Sequence, residues 1–258
     1  MSYILSQTEG QVLKLSLNRP DKFNSFNRAM ALELQGQLDK AATDDNIRAV
    51  HLTAEGKAFC AGQDLSEAMD AQGPGIKKIV EEHYNPIILK IRNLEKPVVC
   101  AVNGVAAGAG ANIALACDVI IAGSSASFIQ AFSKIGLIPD SGGTFFLPRL
   151  VGFQRALALA MLGEKVTAHH AEQMGMIYKT VEDEFLLAES ILIAQTLASM
   201  PTKGLGLTKR LFNQGINNNL EQQLKAEGEL QIQAANSYDY KEGVNAFLEK
   251  RKAVFRGK

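Results

Sequence analysis

The chain has 258 residues, 47% of them hydrophobic, enough for one large domain or a core with a small appendage. Lys+Arg and Asp+Glu are balanced at 27 each, so the chain carries no broad positive field for nucleic acid or an anionic membrane. Three cysteines (Cys60, Cys100, Cys117), odd in number and without CxxC spacing, argue against a disulfide framework and a zinc site, and their apolar surroundings read as small buried hydrophobes.

In chain order, Tyr3–Ser6 and Val12–Leu17 alternate around Glu9-Gly10 as a β-hairpin, which Pro20 stops. Asn27–Ala42 carries apolar residues at helical spacings, and Ala49–Thr53 reads as a short strand. Lys57–Leu65 reads as a loop. Gly73-Pro74-Gly75 precedes a helix that ends near Leu94. Val98–Val102 predicts a buried strand, Gly110–Ala116 a small-residue helix and Val119–Ala122 a further strand. The alternation favours an α/β core. Beyond Gly142 the pattern is almost entirely helical. Leu187, Ile191 and Ala194 share one face, Asn219 caps a helix, and Tyr240–Lys252 forms a last amphipathic one. A composition shift near residue 200 separates a core, 1–200, from an α-helical subdomain, 201–258.

The stretch Pro97–Cys117 has no formal charge and is long enough to cross a bilayer. Asn103, Gly104, Gly108, Gly110 and Asn112 interrupt it, so a strand, a Gly-rich turn and a buried helix explain it better. The opening MSYILSQTEG lacks a charged n-region and a long apolar run. A cytoplasmic protein with no membrane or nucleic-acid partner is expected.

Two stretches suit close backbone approach: Lys57-Ala58-Phe59-Cys60-Ala61-Gly62-Gln63-Asp64-Leu65, and Asn103-Gly104-Val105-Ala106-Ala107-Gly108-Ala109-Gly110-Ala111-Asn112. Each ends a strand and the second opens a helix, whose first N–H groups lack partners. Two such donors from different loops can form an oxyanion hole, although on general patterns alone a plain structural turn is the better explanation of these loops.

Five stretches in order, LNRPDKFNSF from Leu17, KAFCAGQDL from Lys57, KPVVCAVNGVAAGAG from Lys96, GLIPDSGGTFFLPRLVG from Gly136 and EGVNAFLEKRKAVFRGK from Glu242, resemble the crotonase (enoyl-CoA hydratase/isomerase) superfamily over essentially the whole length. The resemblance implies a crotonase-like spiral of ββα units with an α-helical C-terminal subdomain. It also implies a homotrimer or hexamer, an acyl-CoA thioester as substrate, no cofactor beyond coenzyme A as part of that substrate, and no metal. It assigns the oxyanion donors to the N–H groups of Ala61 and Ala109. Lys22, Phe23, Gln63, Asp64 and Leu65 become candidate substrate- or CoA-binding residues, as do Gly108, Phe132 and Lys250. For Lys22 a solvated lysine is the equal alternative; Asp64 has the alternative of orienting its own loop, and the basic C-terminal end that of solubility.

Family hydratases use two glutamates, at the positions of Asn112 and Phe132 here, so both carboxylates are missing. Neither Asn nor Phe performs the proton transfers that hydration needs. Asp140, in Ile138-Pro139-Asp140-Ser141-Gly142-Gly143, lies where superfamily isomerases place a catalytic carboxylate. The alternative is that Asp140 caps the helix beginning near Gly142. Within the superfamily the motifs resemble most the 2-(1,2-epoxy-1,2-dihydrophenyl)acetyl-CoA isomerases of phenylacetate breakdown, which open a ring epoxide to an oxepin and also move double bonds in enoyl-CoA thioesters; a partner enzyme of that pathway is a further expectation. The competing readings are an enoyl-CoA hydratase or Δ3-Δ2-enoyl-CoA isomerase, and a non-catalytic CoA- or RNA-binding relative. His169-His170 reads as a solvated helical turn, and His83 and Tyr84 as pocket wall or ordinary packing.

Overall fold

The computed structural model describes residues 2–258. In chain order it contains β1 (Ile4–Glu9), β2 (Val12–Leu17), α1 (Arg28–Thr43), β3 (Ala49–Ala54), β4 (Ala58–Cys60), α2 (Leu65–Ala68) and α3 (Gly75–Lys78). A π-helical turn, Ile79–Tyr84, then leads into α4 (Asn85–Asn93). There follow β5 (Val98–Val102), β6 (Val105–Ala107), α5 (Ala109–Leu115), β7 (Val119–Gly123), β8 (Ser127–Ile129), α6 (Gly143–Val151), α7 (Phe153–Leu162), β9 (Lys165–Thr167), α8 (Ala168–Gln173) and β10 (Lys179–Val181). The chain ends in α9 (Leu186–Ser199), α10 (Thr202–Gly215), α11 (Leu220–Ala235) and α12 (Tyr238–Leu248).

The hairpin forms as its alternation predicts: β1 and β2 pair antiparallel, with Gly10 in the left-handed region at the turn. Asn27 starts α1 by accepting the Met30 N–H. The strands make two sheets, ordered β1-β2-β3-β5-β7-β10 and β4-β6-β8-β9. Each turn of the spiral lays one strand in each sheet, as β3 then β4, β5 then β6, β7 then β8. Those strands are parallel within both sheets, and the all-buried β5 needs both faces covered, as its uninterrupted apolar run requires. One core fills the space between the sheets and α1, α4 and α5. A second lies where α9 covers the outer face of the large sheet.

Three details differ from the sequence reading. The loop Lys57–Leu65 contains β4, and the helical second half contains β9 and β10; each is a three-residue strand that exists only through pairing. Helix α12 runs from Tyr238 only to Leu248, because Ser237 caps its start and Lys250 turns left-handed after its end. From Thr202 onward the chain is three helices and a tail. Among the described residues no single helix is long and apolar enough to cross a membrane.

Candidate active site

Two strand-to-helix turns meet at the C-terminal ends of β4 and β6. Gly62, at φ +93°, has a backbone that side chains rarely adopt, and a Cβ built on it would lie 3.1 Å from the Ala107 carbonyl oxygen and 3.7 Å from the Ala109 nitrogen. A Cβ on Gly110 would stand 2.5 Å from the Cys60 carbonyl oxygen. The two loops therefore interlock, Cys60 on Gly110 and Gly62 on the Ala107 carbonyl, and the positive φ of Gly62 and the tight contact at Gly110 both call for glycine.

The hydrogen bonds decide which amides are open. The Ala61 N–H donates to the Phe23 carbonyl at 2.9 Å, so it is consumed inside the protein and cannot bind a thioester oxygen. The assignment of Ala61 as an oxyanion donor is thereby corrected. The cause is the preceding loop: Asn24, buried, donates to the carbonyls of Glu55 and Ala58 and accepts from the Arg19 N–H, which turns Phe23 against Ala61. Two residues on, Phe26 and Gln63 form a parallel bridge in which Phe26 donates to the Gly62 carbonyl at 2.7 Å and accepts from the Asp64 N–H at 2.8 Å. A parallel bridge directs the N–H of Gln63 to the opposite side. Among the described residues no protein acceptor takes that N–H. Ala109 is the first residue of α5, so its N–H has no carbonyl one turn earlier within the helix. The open pair is Gln63 and Ala109.

Gly108 lies between them at φ +53°, its N–H held by the Ile129 carbonyl. The buried Phe132 ring comes within 3.7 Å of a Cβ built on Gly108 and so walls that side. Asn112, fully buried one turn into α5, accepts from Gln130 Nε2 at 2.8 Å and donates to the main-chain carbonyl of Asp140 at 2.9 Å. The residue standing where hydratases have a glutamate is therefore a bracket that ties the Asp140 peptide to the helix opened by Ala109.

The Asp140 carboxylate is half-buried, and Ser141 Oγ donates to it at 2.8 Å. Burial raises its pKa, offset in part by the Ser141 hydroxyl and by its own N–H. It does not cap α6, whose N-cap Gly142 receives no side-chain bond. Its charge also contributes, after burial, to holding the Tyr84 phenol protonated. Tyr84 and His83 are buried in the π-turn; Tyr84 donates to Gln63 Oε1 at 2.8 Å, and desolvation depresses His83.

The remaining candidates divide. Asp64 is employed in its own loop: it caps α2 through Ser66 and pairs with Arg19 at 2.7 Å. Burial alone would raise its pKa, but the bonds from Ser66 and Arg19 outweigh that and lower it. These contacts are those of the alternative in which Asp64 orients its own loop. Lys22, Phe23 and Leu65 are exposed on the rim of the same loops. Lys250 is exposed beyond α12, on the helical module rather than on the oxyanion loops. His169 and His170 are exposed in the first turn of α8, capped by Thr167. Cys60 is buried with its thiol pushed up to about 12, mainly by desolvation, so it is no nucleophile. Sequence reasoning did not anticipate the Asn112 bracket or the bond from Tyr84 to Gln63, because both join segments far apart in the chain.

Known proteins resemble this chain over its whole length. The family model described as "Enoyl-CoA hydratase/isomerase" matches residues 7–258. The chain is 49% identical over 261 aligned positions to 1,2-epoxyphenylacetyl-CoA isomerase of Escherichia coli K12, with 100% of both chains covered. It is 38% identical to trans-2-decenoyl-[acyl-carrier-protein] isomerase of Streptococcus mutans, over 99% of this chain and 98% of that one. A crystal structure described as a putative enoyl-CoA hydratase/isomerase from Mycobacterium abscessus superposes with a TM-score of 0.94 at 36% identity, covering 99% of this chain and 100% of that one. With a family match over residues 7–258, a relative 49% identical over the whole chain and the shared fold, the chain belongs to the enoyl-CoA hydratase/isomerase family.

Proposed function

We propose that the chain is an acyl-CoA isomerase that moves a proton through a thioester enolate, with a ring-1,2-epoxyphenylacetyl-CoA as its substrate class. The observation that carries this reading is one desolvated carboxylate, Asp140, tied through Asn112 to the helix whose first N–H is free, while no carboxylate stands at either hydratase position. Asp140 takes a proton from carbon, the electron pair moves onto the thioester oxygen, and the N–H groups of Gln63 and Ala109 hold that oxygen. Protonated Asp140 then returns the proton to another carbon, so one group serves as base and acid; with the ring epoxide, the bond between the two epoxide carbons also breaks as the ring expands to the isomeric oxepin, and the proton leaves the α-carbon for a ring carbon. Coenzyme A enters only as part of the substrate. The 49% identity to an isomerase of that substrate supports the acyl group, as Phe132 at the wall supports an apolar ring.

The test is Asp140→Asn, assayed in the ultraviolet with a 3-enoyl-CoA and with the ring epoxide. The expected result is a turnover at least about a hundredfold lower with acyl-CoA affinity within about twofold. Unchanged turnover rejects the assignment, and loss of crotonyl-CoA absorbance in water would revive hydration. A cytoplasmic homotrimer or hexamer working beside a pathway enzyme completes the proposal; the exposed Tyr240, Phe247, Leu248 and Val254 on the C-terminal module support its subunit association alone. Sedimentation at several concentrations measures the subunit count.

A further inference from the structure

Gln63 is gripped well beyond what an N–H donor needs, since any residue other than proline offers the same amide. Its Oε1 accepts from the Tyr84 hydroxyl at 2.8 Å, and its Nε2 donates to Glu67 at 2.9 Å and to the Asp64 carbonyl at 3.3 Å. The other oxygen of Glu67 accepts the Arg28 N–H at the start of α1, so this anchor is itself anchored. Tyr84 is fully buried, and its ring stands edge-on to Phe26, centroids 6.0 Å apart. Phe26 is the residue whose backbone bridges Gln63. One tyrosine therefore braces both the side chain of Gln63 and the strand that pairs its main chain. It is delivered there by the π-turn, an irregularity that recurs at functional sites.

We propose that Tyr84 is a positioning residue which, through the Gln63 side chain, aims the Gln63 main-chain N–H at the thioester oxygen. The inference rests on the oxyanion reading given above. Its physical basis is that the 62–63 peptide, next to a glycine at φ +93°, is held by one main-chain bond, from the Phe26 N–H to the Gly62 carbonyl, and Tyr84 supports both that bond, through the Phe26 ring, and the Gln63 side chain. A donor turned away from its acceptor weakens steeply, and an oxyanion hole works because its donors are aligned beforehand.

The experiment uses full-length Tyr84→Phe, Gln63→Ala and the double variant with an unreactive saturated acyl-CoA carrying a ¹³C thioester carbonyl. Infrared difference spectra read the carbonyl stretch of the bound thioester, and steady-state kinetics are measured on an enoyl-CoA. In the wild type the stretch falls below its value in water. Tyr84→Phe should reverse part of that fall and lower kcat about tenfold or more, with KM within about twofold. Gln63→Ala, which keeps the N–H, should match it, and the double variant should be no worse than either single. A wild-type carbonyl stretch and kcat in Tyr84→Phe overturn the proposal, as do losses that multiply in the double variant. Should Tyr84→Phe fail to fold, wild-type values in Gln63→Ala overturn it equally. No fall in the wild type would instead reject the oxyanion reading itself.

Discussion

Asp140 shows how one side chain can serve the site at the expense of the fold. Burial raises its pKa, so the native state holds the proton more tightly than the unfolded chain. The sign follows from linkage: the favourable contribution of the neutral acid is complete below the ordinary carboxylate pKa and is lost as pH rises through the raised folded value. Asp140→Asn should therefore gain stability relative to wild type as pH rises from about 3 to 7, the gap growing across that window. Thermal melts at a series of pH values measure it, and a gap that shrinks with pH would contradict the assigned burial. Turnover should follow the opposite limb, rising with pH as Asp140 ionises, with its midpoint above the usual range for an aspartate. Asn112 carries a different cost. Asn112→Ala strands the Gln130 amide and the Asp140 carbonyl, for a loss of about 1–3 kcal/mol in chemical denaturation, with a fall in kcat because the acid is no longer tethered.

Among the elements, the short α5 and its glycines matter most. Gly110→Ala pushes a methyl group onto the Cys60 carbonyl, which belongs to backbone and cannot swing aside. Overpacking of this kind should cost about 1–3 kcal/mol in urea unfolding and should lower kcat by separating the two loops. The longer elements were legible from sequence because their signals are local: the alternation around Gly10, the Asn27 cap of α1 and the apolar run of β5. The second sheet was not, since β4, β6, β8 and β9 are each three residues long and have too few positions to show a period. The final helix was read too long because its apolar pattern continues past the left-handed Lys250 that ends it.

Across the molecule, the C-terminal tail is stitched back to the start of β3 in the large sheet by one buried guanidinium. Arg48 donates to Thr202 Oγ1 at 2.7 Å, to the Phe255 carbonyl at 2.9 Å and to the Met200 carbonyl. Buried Asp239 holds the other side of the tail through the N–H groups of Arg256 and Gly257. Arg48→Met should leave these carbonyls unpaired and release the tail, so hydrogen exchange at residues 255–257 should accelerate more than exchange in β5. Equal acceleration everywhere would mean that the tail does not open as a separate unit. Because α12 and the tail pack on the helical module, the oxyanion loops should keep their protection in that variant.

The order of residues was sufficient for the alternation of long strands and helices in the first half, the two small-residue loops and the solitary acid at 140, since each is written in contiguous segments. Which amides stay open was settled elsewhere. Ala61 and Gln63 lie two residues apart in one loop and each offers a main-chain N–H, yet the first is closed by Phe23 and the second faces away from Phe26. The desolvation of Asp140 is likewise set by chain packed around it from other turns of the spiral. Hydrogen-bond direction and burial are relations between distant segments, and these come into being only when the chain has folded.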